Sequence, residues 1–147
     1  MNEHDTIVRI ANSLRKLNQS FLQATWKDAE ACGVTTIQFM ALRMLKQYPM
    51  IGLGELSELM HIGESTTSGI VKRLVCAGLI LQERPEEDRR AIRLKLSPAG
   101  EQLAEKANER IMKRLSSILE IPAEEIEQML DTHAKIVQVL QKSGEEV

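Results

Sequence analysis

Between Glu55 and Gly100 the spacing of apolar residues changes from helical to alternating, and few architectures accept that order. Leu56, Leu59 and Met60 form one apolar stripe, and Ile62 falls in a turn. Thr66, Ile70, Leu74 and Ala77 then recur at helical spacing until Gly78 closes a second helix. Beyond it, Leu79–Arg84 and Ala91–Leu96 are strand-like. In the second of these, Ile92, Leu94 and Leu96 alternate with Arg93 and Lys95, which gives one apolar and one cationic face. Pro85-Glu86-Glu87-Asp88-Arg89-Arg90 lies between them as a charged tip.

Helix, turn, helix and ribbon in that order outline a winged helix-turn-helix, a mainly α fold with a small β-wing. Residues about 100° apart around the second helix put Ser65, Ser68, Gly69 and Lys72 opposite the apolar stripe. Such a small, polar face suits a DNA major groove, with the helix N-terminus directed at a phosphate. An ordinary solvated face shows the same pattern, so the helix alone leaves both readings open. The ribbon favours DNA, because arginines at the tip of such a ribbon reach the backbone or the minor groove. Asp88 is placed either to orient Arg90 through a charge-assisted hydrogen bond or to act as a plain turn former. The candidate DNA contacts are therefore Glu64, Ser65, Thr66, Ser68, Gly69, Lys72 and Arg73 on the helix. The ribbon adds Arg84, Asp88, Arg89, Arg90 and Arg93.

These residues resemble a known family. Asp88-Arg89-Arg90 followed by Ala91-Ile92-Arg93-Leu94-Lys95-Leu96-Ser97-Pro98-Ala99-Gly100 is similar to the D-x-R…L-x-L-T-x-x-G wing signature of the MarR/SlyA bacterial transcription regulators. Val34-Thr35-Thr36-Ile37-Gln38-Phe39 resembles that family's L-T-x-x-Q-F, and Glu55-Leu56-Ser57-Glu58 its E-L-A-E. The resemblance covers about residues 34 to 100, with the three signatures in the family's order. It implies a homodimeric, sequence-specific regulator, foremost a repressor, bound to an inverted-repeat operator in double-stranded DNA. It also implies a small lipophilic or phenolic effector in a cleft beside the dimer helices, where Trp26, Phe39, Met40 and Met44 are candidates for the lining or simply core. The chain departs from the family at Gly63, where a Ser or Thr cap is usual, and at Gly69, where a longer, often basic, side chain is common. A glycine cap costs only a few tenths of a kcal/mol relative to serine.

The 147 residues fit one domain, with 34–100 as the winged-helix part and 1–33 and 101–147 as dimerisation helices. From residue 5 to 32, Ile7, Ile10, Leu14, Leu17, Phe21 and Ala24 form a heptad-like seam that the winged helix cannot bury alone. Gly33 ends that helix. Thr35 and Gln38 make a capping box, with Val34 and Phe39 as a hydrophobic staple, and the second helix runs from Thr35 to about Gln47 before Pro49. Gly52–Glu55 open the third. After the wing, Ser97 caps and Pro98 begins a helix with Leu103, Ala107, Ile111, Leu115 and Ile118 on one side. Pro122 restarts the chain. Ile126, Met129, His133, Ile136 and Leu140, widened by Leu130 and Val137, then form a second seam.

A net charge of −2 argues against a non-specific nucleic-acid binder. Its distribution is uneven: residues 1–60 balance at 0, residues 61–95 carry +2 and residues 96–147 carry −4. His4, His61 and His133 are scattered, Cys32 and Cys76 lie far apart, and no cofactor or enzyme motif occurs, so the expectation is no enzyme, no metal and no cofactor. Without a leader or a long apolar run, the reading is a cytoplasmic protein that does not enter a membrane. Two alternatives stand beside the repressor. One is redox sensing through Cys32 or Cys76, each disfavoured as a thiolate by its place near a helix C-terminus. The other is a winged helix used only for protein contact, which has no need of Arg89 and Arg90.

Overall fold

A computed structural model describes residues 2–145. Its elements are α1 (Glu3–Ala31), α2 (Thr36–Gln47), α3 (Leu53–Met60), α4 (Glu64–Cys76), β1 (Ile80–Glu83), β2 (Arg93–Leu96), α5 (Pro98–Leu115), a 3-10 turn (Ser116–Glu120) and α6 (Ala123–Glu145). The result is the expected mainly α chain with a small antiparallel wing. It divides into two compact units, one up to Arg114 and one from Leu115 onward.

In the first unit, local chemistry decides where the helices stop and start. α1 ends at Gly33, whose φ of +82° suits glycine; its N–H donates to the Glu30 carbonyl and the Val34 N–H to Ala29. The capping box follows as expected. The Gln38 N–H donates to the Thr35 hydroxyl at 3.2 Å, and the Thr35 N–H to Gln38 Oε1 at 3.0 Å. α4 closes like α1: Gly78 at φ +73° donates to Val75, and Leu79 to Leu74.

The core gathers around Leu42 and Leu45 of α2, Leu56 of α3, Leu74 of α4, Ile80 of β1 and Leu94 of β2, all fully buried. Burying each such side chain contributes about 1.5–3 kcal/mol before conformational entropy is counted. On α4 the buried set is Thr67, Ile70, Val71 and Leu74, while Thr66 and Ala77 are exposed. The expected stripe was thus displaced at both ends. Thr67 tolerates complete burial because its hydroxyl donates to the Gly63 carbonyl at 3.0 Å.

The wing is shorter than the pattern predicts. Pairing runs from Ile80↔Leu96 to Glu83↔Arg93, so Ile92 falls outside the ladder and is exposed. Ser97 joins the wing to α5: its hydroxyl donates to the Gly78 carbonyl at 2.5 Å and accepts the Gly100 N–H at 3.0 Å, while its own N–H donates to Leu79. A Cβ at Gly100 would stand 2.0 Å from the Leu79 carbonyl oxygen, so only glycine fits there. On α5 the buried side is Gly100, Ala104, Ala107 and Ile111; Leu103 is half-buried, and the small residues take the place expected for it.

α1 buries only Thr25, Asp28 and Ala29, near its C-terminal end. Ile7, Ile10, Leu14, Leu17 and Phe21 are exposed. The second unit is the 3-10 turn and α6. Among the described residues α6 buries none: Ile126, His133 and Ile136 are half-buried, and Met129, Leu130, Val137, Val139 and Leu140 are exposed. No helix among the described residues is long and apolar enough to cross a membrane.

Candidate nucleic-acid interface

The turn between α3 and α4 sets how α4 is presented. His61 adopts φ 55°, ψ 39°, a left-handed conformation that costs a non-glycine residue roughly 1–2 kcal/mol. It is held there because its N–H donates to Glu58 and the Ile62 N–H to Ser57, while the buried Ser57 hydroxyl donates to Gly54. Gly63 then caps α4 without a side-chain bond. The outer face of α4 carries Glu64, Ser65, Thr66, Gly69, Lys72 and Arg73, all exposed, with Ser68 half-buried at its margin. No atom lies within 4 Å of where a Gly69 Cβ would stand, so this face is open. The face expected to be outward is thus exposed at Ser65, Gly69 and Lys72, whereas Ser68 turns partly inward and Thr66, expected on the apolar stripe, stands outside it.

The wing tip is organised by its own backbone. Asp88 Oδ1 accepts the Arg90 backbone N–H at 3.0 Å, and the Asp88 carbonyl accepts the Ala91 N–H at 3.2 Å. Of the two roles expected for Asp88, the plain turn former is the one observed; its recorded bond goes to the Arg90 amide, because the short side chain reaches its own loop first. Arg84 Nη1 donates to the Arg89 carbonyl at 2.8 Å and so fastens the loop across its base. The guanidinium groups of Arg89 and Arg90 stay exposed and enter no ion pair among the described residues.

At the wing base the predicted cationic face is largely neutralised. Arg93 Nη1 lies 3.2 Å from Glu55 Oε1, and Lys95 Nζ lies 2.5 Å from Glu83 Oε1. The alternation of Arg93 and Lys95 was visible in the sequence; their carboxylate partners, one on another element and one diagonal across the ribbon, were not. Arginine outside any ion pair among the described residues is left at the tip, and on α4 Lys72 and Arg73 stand exposed.

Asp28 was not among the sequence candidates. It is buried near the end of α1 and takes both a 2.5 Å bond from Arg114 Nε and a 3.1 Å bond from Arg114 Nη2, with Arg110 Nε at 3.7 Å. The Arg114 hydrogen bonds hold its carboxyl below the usual carboxylate range; desolvation opposes this, and the charges of Arg114 and Arg110 assist. The available signal was an acid in the same helical turn as Thr25 and Ala29.

Of the four residues weighed as a cleft lining, Trp26 and Phe39 line separate depressions. Trp26 lines a depression of about 320 Å³ with Glu30, Val34 and Gln38. Phe39 lines another, of about 280 Å³, with Arg43, Lys46 and Asn108. Met40 is exposed and Met44 half-buried, and neither lines these two depressions. Cys32 is half-buried and Cys76 exposed. Among the described residues no cluster of potential metal ligands occurs.

Comparison with known proteins follows the same outline. Residues 34–92 match the MarR family model. The HTH-type transcriptional regulator FarR of Neisseria gonorrhoeae is 31% identical over 88 residues, which span 60% of this chain and 60% of FarR, less than two thirds of either. A MarR family protein of Bacillus stearothermophilus has a solved structure that is 29% identical, with a TM-score of 0.81 over 96% of this chain and 99% of that one. A mutant MarR from E. coli, solved in complex with operator DNA, shares the fold at a TM-score of 0.80 over 92% of this chain and 99% of its own, with 17% identity.

Proposed function

We infer from the match of residues 34–92 that the chain is a member of the MarR family, and from that premise that it is a homodimeric, sequence-specific transcription regulator, a repressor whose DNA binding a small effector relieves. The observation that carries the reading is the pairing of an open, polar α4 face with a wing whose base charges are neutralised and whose tip arginines are not. Ser65, Thr66, Gly69 and Lys72 face the major groove. Arg89 and Arg90 enter the minor groove or meet the backbone, where arginine is favoured. Glu64 and Arg73 flank the groove-facing residues, Ser68 contacts from its margin, and Arg84 and Asp88 support the tip from within.

Two molecules present two such faces. The exposed apolar residues of α1 and those of α6 supply the association surface, since apolar stripes of this length seldom stay in water. The effector is small and lipophilic or phenolic, and the depression beside Trp26 is its candidate site.

Selection of bound sequences from a random DNA pool tests the proposal. The expected result is an inverted repeat with half-sites about 10 base pairs apart, centre to centre. Recovery of no sequence above the starting pool removes the DNA reading and leaves a protein-contact module.

A further inference from the structure

A wing that touches DNA works only at a fixed pitch against α4, and the base of this wing has a device that sets it. The backbone supplies an anchor. Leu94 of β2 donates its N–H to the Ile51 carbonyl at 2.7 Å and accepts the Met50 N–H at 2.9 Å, just ahead of the Gly52 cap of α3. These two bonds, with the Ser97 clamp, hold the foot of β2 and act at the base of the ribbon, short of its tip. Beside it, Arg93 reaches over Gly52, with Nη1 3.4 Å from where a Cβ would stand. The guanidinium ends at Glu55, in the first turn of α3, where the helix dipole also favours a carboxylate. The contact spans 38 residues and joins the ribbon to the helix-turn-helix. Lys95 and Glu83, by contrast, join the ribbon only to itself.

We propose that Arg93 is a positioning residue, which holds the wing at its DNA-docking angle through Glu55, and is not itself a DNA contact. The inference rests on the DNA-binding reading above. A guanidinium with a carboxylate at 3.2 Å offers little net charge to a phosphate, and its reach is already directed at α3.

The two roles predict opposite signs for Glu55→Gln. If Arg93 contacts DNA, removing a neighbouring carboxylate strengthens binding, as is expected of Glu83→Gln through release of Lys95. If Arg93 positions the wing, Glu55→Gln weakens binding although a negative charge has gone. We expect Glu55→Gln and Arg93→Gln each to lose roughly three- to tenfold in operator affinity, the scale of an exposed ion pair lost from both wings. The swap Glu55→Arg with Arg93→Glu recovers most of that loss. Tighter binding by Glu55→Gln, or a swap no better than Arg93→Gln, overturns the proposal. Residual dipolar couplings of the amides of Arg84 and of residues 86–92, measured on the free protein, provide a readout independent of DNA. They change in both single variants and return in the swap if the brace exists. Unchanged couplings overturn it, even where the selection experiment has already removed the DNA reading.

Discussion

The core built from residues 34–111 and the terminal seams solve the hydrophobic problem in opposite ways. Between Val34 and Ile111 the apolar side chains of α2, α3, α4, the wing and α5 meet one another, and among the described residues no buried side-chain polar atom lacks a partner. Along α1 and α6 the same residue types stand in solvent. One region is therefore stabilised by its own chain, whereas the other keeps its apolar side chains exposed, as the proposed dimer requires. Periodicity reveals both patterns, yet only solvent exposure separates them.

The largest test of that contrast is a pair of leucines. Leu74→Ala leaves a cavity in the core and is expected to cost about 2–5 kcal/mol in chemical denaturation. Leu17→Lys, on the exposed seam, should instead abolish the dependence of Tm on protein concentration that a dimer shows. A Leu17→Lys protein whose Tm still rises with concentration as in the wild type would place the association surface elsewhere.

A smaller effect sits where α1 leaves the seam and enters the core. Because the folded pKa of Asp28 lies below its unfolded value, the Arg114 and Arg110 pairing contributes stability above the unfolded pKa of 3.8. That contribution disappears as pH falls through the lower folded value. Tm curves of wild type and Asp28→Asn should therefore run parallel at neutral pH and converge below about pH 4. Curves that stay parallel into that range would mean that the pairing has no such role.

The smallest effect tests the cap of α4. Gly63→Ser adds a side-chain acceptor where none exists and where a new Cβ meets no atom within 4 Å. Stability should rise by a few tenths of a kcal/mol, read as a slightly higher denaturant midpoint. A fall would show that the turn depends on the freedom of glycine.

These regions also differ in how much of them the sequence revealed. The capping box at Thr35 and Gln38 and the turns at Gly33 and Gly78 were legible because their bonds close within a few residues. The face of α4 was drawn one residue off at its start, since threonine carries no clear preference and Thr67 becomes buried only once its hydroxyl has found Gly63. The wing charges misled for a different reason. Arg93 and Lys95 read as a cationic face, but Glu55 reaches Arg93 from 38 positions away, and Arg114 meets Asp28 across 86. Partners so distant in sequence are set by packing, and no local pattern announces them.

The clamp of Gly78 and Leu79 against Ser97 and Gly100 bears on where this chain can grow. It fixes both feet of the ribbon on one spot, with the start of α5 seated against the Leu79 carbonyl. Inserted residues near either foot must pry that seat apart. Those placed within 85–88, beyond the last rung at Glu83↔Arg93, lengthen only the protruding arc. A lineage of such proteins can therefore vary the reach of its wing at that tip, one residue at a time, while the frame that carries it keeps its dimensions.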